Sequence, residues 1–348
     1  MRALQLNAPQ QPPELREVPV PEPGPGEVVI KIAGSGACHS DLHIMEWPAE
    51  MLPFELPFTL GHENSGWIHE LGAGVSGFEK GEPVLVYGPW GCGRCKRCRM
   101  GMENYCEQGM GASGGGLGLD GGMAEYMLVP SARHLLPLGD LDPVDAAPLT
   151  DAGLTPYHAV KRSVGKLGAG SHVVVIGAGG LGQMGIQFLR ALTPATVIAV
   201  EADEAKLPRA LEVGAHHAIL ATDETVKEIF ARTNDRGSDV VIDFVGMDST
   251  MLLGSQIARP LGDLTVVGLA MGTLPFNFFA IGYEASLQTT YWGSATELME
   301  VLDLARQGMV KSLIRRFPLD GAVEAYQLLR EGKIEGRAVI VPHADAGL

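Results

Sequence analysis

The sequence predicts an α/β protein: a doubly wound parallel sheet joined to a mostly β domain that carries a small cysteine-rich lobe. Three observations lead there. From His172 onward, apolar runs at 173–176, 196–200, 217–220, 240–244, 263–267 and 288–292 alternate with helix-like stretches, as βα repeats around a parallel sheet require. Residues 1–150 show short β runs separated by Pro- and Gly-rich loops instead. Within that first part, four cysteines fall inside fifteen residues, 92–106.

Bulk properties bound the function. A chain of 348 residues exceeds one ordinary domain, so two are expected. With 46% hydrophobic and 19% charged residues it has the composition of a globular protein. A net charge of −15 argues against nucleic acid as a partner, which needs a positive footprint, and against adsorption to anionic membranes. No apolar run approaches the roughly 18 residues of a membrane span. The start, Met1-Arg2-Ala3-Leu4-Gln5-Leu6, lacks a signal-peptide core, so the cytoplasm is the expected location. Five cysteines suit that reducing compartment. The 46 glycines follow no repeat.

In chain order, a Pro-rich turn at 21–26 leads into an expected strand at 27–32. Then comes Cys38-His39-Ser40-Asp41-Leu42-His43, a soft ligand, a hydroxyl, a carboxylate and two imidazoles in six residues. A Pro-rich loop with Trp47 and Phe54 follows, then Gly61-His62-Glu63, a strand at 83–87, the cysteine lobe, a glycine-rich loop at 111–122 and a strand-like run at 123–130. At Thr150-Asp151-Ala152-Gly153-Leu154-Thr155 the pattern changes, with a helix expected at 156–164. A helix at 295–307 and a strand at 337–341 are expected to return to the first domain. The expected division is 1–151 with a lobe at 91–107, then 152–292, then 293–348.

Cys92, Cys95, Cys98 and Cys106 have the spacing C-x2-C-x2-C-x7-C. Four thiolates so close can enclose one tetrahedral zinc and leave no open position, a structural site pinning a loop too small to own a core. Free surface thiols are the plain alternative. An iron–sulfur site fits less well, because the ferredoxin run ends in a shorter gap followed by proline. The lobe's Arg94, Lys96, Arg97 and Arg99 are too few, in so acidic a chain, for a nucleic-acid module.

Val173-Val174-Val175-Ile176-Gly177-Ala178-Gly179-Gly180-Leu181-Gly182 is a strand running into G-x-G-x-x-G. Gly177 permits the tight turn, Gly179 admits a pyrophosphate to the backbone, and Gly182 lets helix and strand approach. Gly180 and Leu181 complete the loop before a helix-like stretch at 183–192, and the helix N-terminus offers free N–H groups to the phosphates. Glu201 lies 19 residues beyond Gly182, where an acid binds the ribose hydroxyls and repels a 2′-phosphate. NAD is therefore expected over NADP. The alternative is a plain structural βαβ turn.

Cys38 is the one cysteine outside the lobe, and His62 follows it by 24 residues. Cys38-x-Ser40-Asp41-x-His43, Gly61-His62-Glu63, the four-cysteine lobe and the nucleotide fingerprint, in this order, resemble the zinc-dependent medium-chain alcohol dehydrogenase family over nearly the whole chain. The resemblance implies a GroES-like catalytic domain beside a Rossmann-type domain, two zinc ions per chain and NAD. It implies Cys38, His62 and, where the family has a cysteine or an acid, Asp151 as catalytic zinc ligands, with Glu63 as a rival or transient ligand. A helix N-cap is the plain reading of Asp151.

The same resemblance makes Asp41 the acid that orients His62, Ser40 the acceptor of the alcohol proton and His43 its onward carrier. His39 and Arg337 stand where the cofactor pyrophosphate is contacted, and Thr155 where the nicotinamide lies. Trp47, Phe54, Leu119, Tyr291 and Trp292 are candidate pocket walls, suited to medium-size apolar or aryl alcohols, although they could equally be interdomain packing. The expected reaction is reversible oxidation of a primary or secondary alcohol to an aldehyde or ketone, in a cleft between domains that closes on the cofactor. Polyol or amino-alcohol oxidation, a zinc-free quinone-type reductase and a non-catalytic zinc-containing regulator are the alternatives. A homo-oligomer, a tetramer by analogy, is expected.

Overall fold

A computed structural model describes residues 1–109 and 113–343. The first part of the glycine-rich loop expected at 111–122, and the end of the segment expected at 293–348, lie outside the described residues. Two compact units emerge: Met1–Leu154 with Gly293–Arg306 and Ser312–Leu348, and Thr155–Trp292 with Gln307–Lys311.

The first unit is built on a seven-stranded sheet. Its path runs Leu135–Pro137, Pro83–Val86, Glu63–Leu71, Val28–Ala37, Arg337–Val341 and Ile314–Pro318, with Tyr126–Val129 also pairing Val28–Ala37. The central strand Val28–Ala37 is buried along almost its whole length. Val28, Ile30 and Ile32 pack against Val84, Val86, Trp90, Met127 and Val129. Ala33 joins a separate cluster with Val144, Ala147, Val339 and Val341. The strand expected at 27–32 is thus longer than its apolar run, because Gly34, Ser35 and Gly36 continue the ladder opposite Ser65, Asn64 and Glu63. A small sheet, Glu14–Glu17, Arg2–Leu6 and Phe58–Thr59, completes the unit.

The C-terminal strand Arg337–Val341 runs antiparallel to Val28–Ala37, with Val339 opposite Gly36. Gly36 also lies opposite Glu63. A Cβ at 36 would sit 1.8 Å from Glu63 Oε2, so this glycine makes room for the Glu63 carboxylate inside the sheet.

The second unit holds a six-stranded, all-parallel sheet in the order His217–Leu220, Thr196–Glu201, His172–Ile176, Ser238–Asp243, Ala258–Val266 and Ser286–Thr289. This is the 3-2-1-4-5-6 doubly wound order. Val174, Ile176, Ile198, Val200, Val241 and Leu264 form its core. The expected α/β class with a parallel sheet is what the chain adopts. The last strand ends at Thr289, short of the run expected at 288–292, and Trp292 has φ 50°, a left-handed conformation no strand continues through. The fifth strand starts earlier than 263, its first half carrying Pro260 and Gly262, which hide strand character. No helix among the described residues is long and apolar enough to cross a membrane.

Candidate active site

Cys38 ends the buried strand Val28–Ala37 and begins the helix His39–Glu46, so its thiol is held where strand turns into helix. Asp41 Oδ2 accepts the Cys38 backbone N–H at 2.9 Å, satisfying a free donor at the helix start. Cys38 is therefore the N-cap, and His39–His43 are the first five residues, of one helix.

His62 enters from the other side. Gly61 has φ +94°, and a Cβ there would meet Ser35 Oγ at 2.2 Å, so the turn that presents His62 needs glycine. His62 Nδ1 lies 2.9 Å from Asp41 Oδ1, with Asp41 0% exposed. A proton on Nδ1 shared with that carboxylate leaves the Nε2 lone pair aimed away from it, as a metal ligand requires. Asp151 follows the short helical turn Ala147–Thr150. Its Oδ2 stands 3.6 Å from Cys38 Sγ and 3.4 Å from His62 Nε2. One donor atom from each of the three residues lies within 4.8 Å of the others.

These separations can be tested against zinc. Ligand atoms about 2.0–2.3 Å from a tetrahedral zinc stand about 3.3–3.8 Å from one another. The two measured spacings to Asp151 fall in that range, and one sulfur, one imidazole nitrogen and one carboxylate oxygen form a donor set zinc accepts. Burial alone would hold the His62 pKa down, but Asp41 and Asp151 raise it well above the usual histidine value.

Behind Asp151 lies a buried ion pair. Arg337, 3% exposed, donates from Nε to Glu63 Oε2 at 2.9 Å, and its Nη2 is 3.4 Å from Asp151 Oδ2. Glu63, 0% exposed, also accepts the Ala152 N–H at 3.0 Å through Oε1, tying down the turn that carries Asp151. Arg337, expected as a pyrophosphate contact, is thus placed by strand pairing against Glu63 and Asp151. Glu63, the rival ligand, has its carboxylate directed at Arg337, and it is not among the three converging residues.

Ser40 Oγ lies 3.5 Å from His62 Nε2, and His43 follows one turn later on the same helix, half-buried. His39 is exposed at the helix start. Trp47 and Phe54 are half-buried against the core that contains Leu42, Phe58 and Met123. Phe54 stacks edge-on with Phe58 at 5.1 Å, and Leu119 is 48% exposed. Tyr291 and Trp292 belong to the second unit, where their rings are 5.9 Å apart. Thr155 is buried at the start of the helix Leu154–Ser163.

The lobe gathers Cys92, Cys95, Cys98 and Cys106 with all four sulfurs within 4.8 Å of one another. Cys95 and Cys98 sulfurs are 3.4 Å apart, Cys92 and Cys98 3.9 Å, close to the roughly 3.8 Å edge of a zinc tetrathiolate. Backbone N–H groups of Cys92, Cys95 and Cys98 point at the sulfurs of Cys106, Cys92 and Cys95. None of the five cysteines is in a disulfide. Beneath the lobe, buried Glu103 accepts from the Gly91 N–H at 2.7 Å and Arg133 Nε at 3.0 Å, with His134 Nε2 at 3.2 Å. Sequence reasoning missed this anchor; a glutamate between two lobe cysteines was its one local signal.

In the second unit, Gly177 has φ +87°, and a Cβ at Gly182 would meet Gly177 O at 1.8 Å, so both must be glycine. Nothing lies within 4 Å of a Cβ at Gly179, the residue before the helix Gly180–Leu192, which leaves a backbone edge open to a phosphate. Leu181 is in the first turn of that helix. Glu201, the last residue of its strand, accepts the Ala178 N–H at 2.7 Å and, through its other oxygen, the Ala202 N–H at 2.9 Å. The acid is thus pinned beside the glycine loop.

Comparison with known proteins agrees with this geometry. Residues 24–140 match the alcohol dehydrogenase GroES-like domain family, and residues 180–307 the zinc-binding dehydrogenase family. An NAD-dependent alcohol dehydrogenase of Sulfurisphaera tokodaii is 37% identical, over 98% of this chain and 100% of the relative. A D-arabinose 1-dehydrogenase (NADP(+)) of Saccharolobus solfataricus is 34% identical, over 98% of this chain and 97% of its own. The crystal structure of the alcohol dehydrogenase of Aeropyrum pernix superimposes with a TM-score of 0.91 at 37% identity, covering 98% of this chain and 100% of that one. The chain belongs to the zinc-dependent medium-chain alcohol dehydrogenase family. It is accordingly an oxidoreductase with zinc and NAD as cofactors.

Proposed function

We propose that the chain oxidises primary or secondary alcohols to aldehydes or ketones, reversibly, with Cys38, His62 and Asp151 holding a catalytic zinc and the four-cysteine lobe a structural one. The observation that carries this reading is the convergence of three donors from three separate segments, with Asp41 backing the histidine. Zinc bound there supplies a Lewis acid that polarises the substrate oxygen and lowers the alcohol's pKa.

The chain's own residues do the rest. Cys38 and Asp151 offset the metal's charge, and Asp41 keeps His62 in the tautomer that presents Nε2. Ser40 takes the substrate hydroxyl proton, and half-buried His43 passes it toward solvent. Glu63 is held by Arg337, whose Nη2 also reaches Asp151, so the ion pair would support Asp151 from behind. Gly177, Gly179 and Gly182 shape the pyrophosphate loop, Glu201 takes the adenosine ribose hydroxyls, His39 reaches the phosphates and Thr155 borders the nicotinamide.

Trp47, Phe54 and Leu119, the candidate walls of the zinc-holding unit, would favour medium-size apolar or aryl substrates over polyols. NAD reduction across a panel of primary, secondary, aryl, polyol and sugar alcohols tests this; a preference for the polyols or sugars contradicts it. Glu201→Ala should weaken NAD binding about ten- to a hundredfold, the worth of hydrogen bonds to a charged group, and narrow the preference over NADP. Unchanged Michaelis constants for both cofactors would remove Glu201 from the site.

We also propose a homo-oligomer in a reducing cytoplasm. Phe276, Phe278, Phe279 and Tyr283 are 66%, 75%, 79% and 58% exposed, near the outermost strand Ser286–Thr289, an apolar surface that a second copy would cover. A monomer by analytical ultracentrifugation would reject it.

A further inference from the structure

We infer that Tyr326, far from any motif, is a positioning residue for the catalytic metal site: its hydroxyl sets the rotation of Asp41 and through it the aim of His62. The inference rests on Cys38, His62 and Asp151 holding zinc.

Tyr326 sits on the helix Ala322–Arg330, 285 residues from Asp41, and is 3% exposed. Its Oη donates to Asp41 Oδ2 at 2.8 Å. That same oxygen accepts the Cys38 N–H at 2.9 Å, while Asp41 Oδ1 faces His62 Nδ1 at 2.9 Å. Three partners from three segments thus converge on one fully buried carboxylate. Two of them tie the carboxylate to the metal ligands Cys38 and His62, and Tyr326 is the third. Among the described residues the hydroxyl's other polar neighbour is the Met123 sulfur at 3.1 Å, a weak acceptor.

Cys38 and His62 hold one carboxylate oxygen each, and Tyr326 adds a second donor on Oδ2. Turning the plane then leaves one more buried hydrogen bond unmade. A groups that orients a metal-bound histidine is worth about ten- to a hundredfold in metal affinity, and a donor one bond further away should be worth less. Tyr326→Phe keeps the ring that packs with Leu42, Phe58, Met123 and Ile340 and removes only the hydroxyl.

The test is the rate of zinc transfer from the zinc-loaded full chain to a chromogenic chelator, with the lobe zinc as internal reference. Tyr326→Phe should speed release of one zinc by about three- to tenfold and leave the other unchanged. In an Asp41→Asn background, removing the hydroxyl should add less than about twofold, because the interaction it serves is already gone. Leu329→Val, a packing change on the same helix, should lower the unfolding midpoint without changing zinc release. Wild-type release rates in Tyr326→Phe, an equal effect in the Asp41→Asn background, or the same acceleration in Leu329→Val each overturn the inference alone. A wild-type chain that holds only the lobe zinc overturns it together with the catalytic-zinc reading.

Discussion

Asp151→Ala is expected to lose one of two zinc ions and nearly all alcohol oxidation while keeping the fold and the lobe zinc. Asp151 contributes the oxygen that lies 3.4 Å from His62 Nε2 and 3.6 Å from Cys38 Sγ, and alanine leaves only those two ligands. Lewis-acid assistance is worth several kcal/mol at the transition state, so activity should fall on the order of a thousandfold or more. The fold should survive, because Asp151 is held at the end of a turn whose backbone is tied to Glu63 through Ala152. Metal content and NADH formation check both halves. A variant with both metals and full activity would transfer the ligand role to another group, with Glu63 the first candidate.

Arg337→Ala should be the most destabilising single change at the site. It removes the cation facing Glu63, which is 0% exposed. Breaking a buried pair on one side costs about 3–5 kcal/mol. For a chain of this size that is about 4–7 °C in unfolding midpoint. Removing both charges with Glu63→Gln and Arg337→Met should recover part of the loss, since a matched uncharged pair leaves no lone buried charge. Thermal unfolding of the single and double variants decides it, and an Arg337→Ala midpoint equal to wild type would mean the pair does not hold this sheet together.

What was legible in the sequence was local. The lobe's four cysteines span fifteen residues, and the demand for glycine at 182 comes from Gly177, five positions away. The parallel sheet showed itself through apolar runs whose strands are buried on both faces. What escaped depends on distant pairing. Arg337 reaches Glu63 across 274 residues because the last strand lies against Val28–Ala37, and nothing around Arg337 announces a partner. Tyr326 reaches Asp41 in the same way, and Glu103 meets His134 across 31 residues. The edge strand Ser286–Thr289 was misplaced because its exposed polar residues carry less signal than the aromatic pair that follows it.

Metal content per chain, determined alongside NAD reduction by the same preparation, tests the central claim most directly. The account predicts two zinc ions per chain and NADH formation with an apolar or aryl alcohol. One zinc per chain, with no NADH formed from any alcohol on the panel, would contradict it.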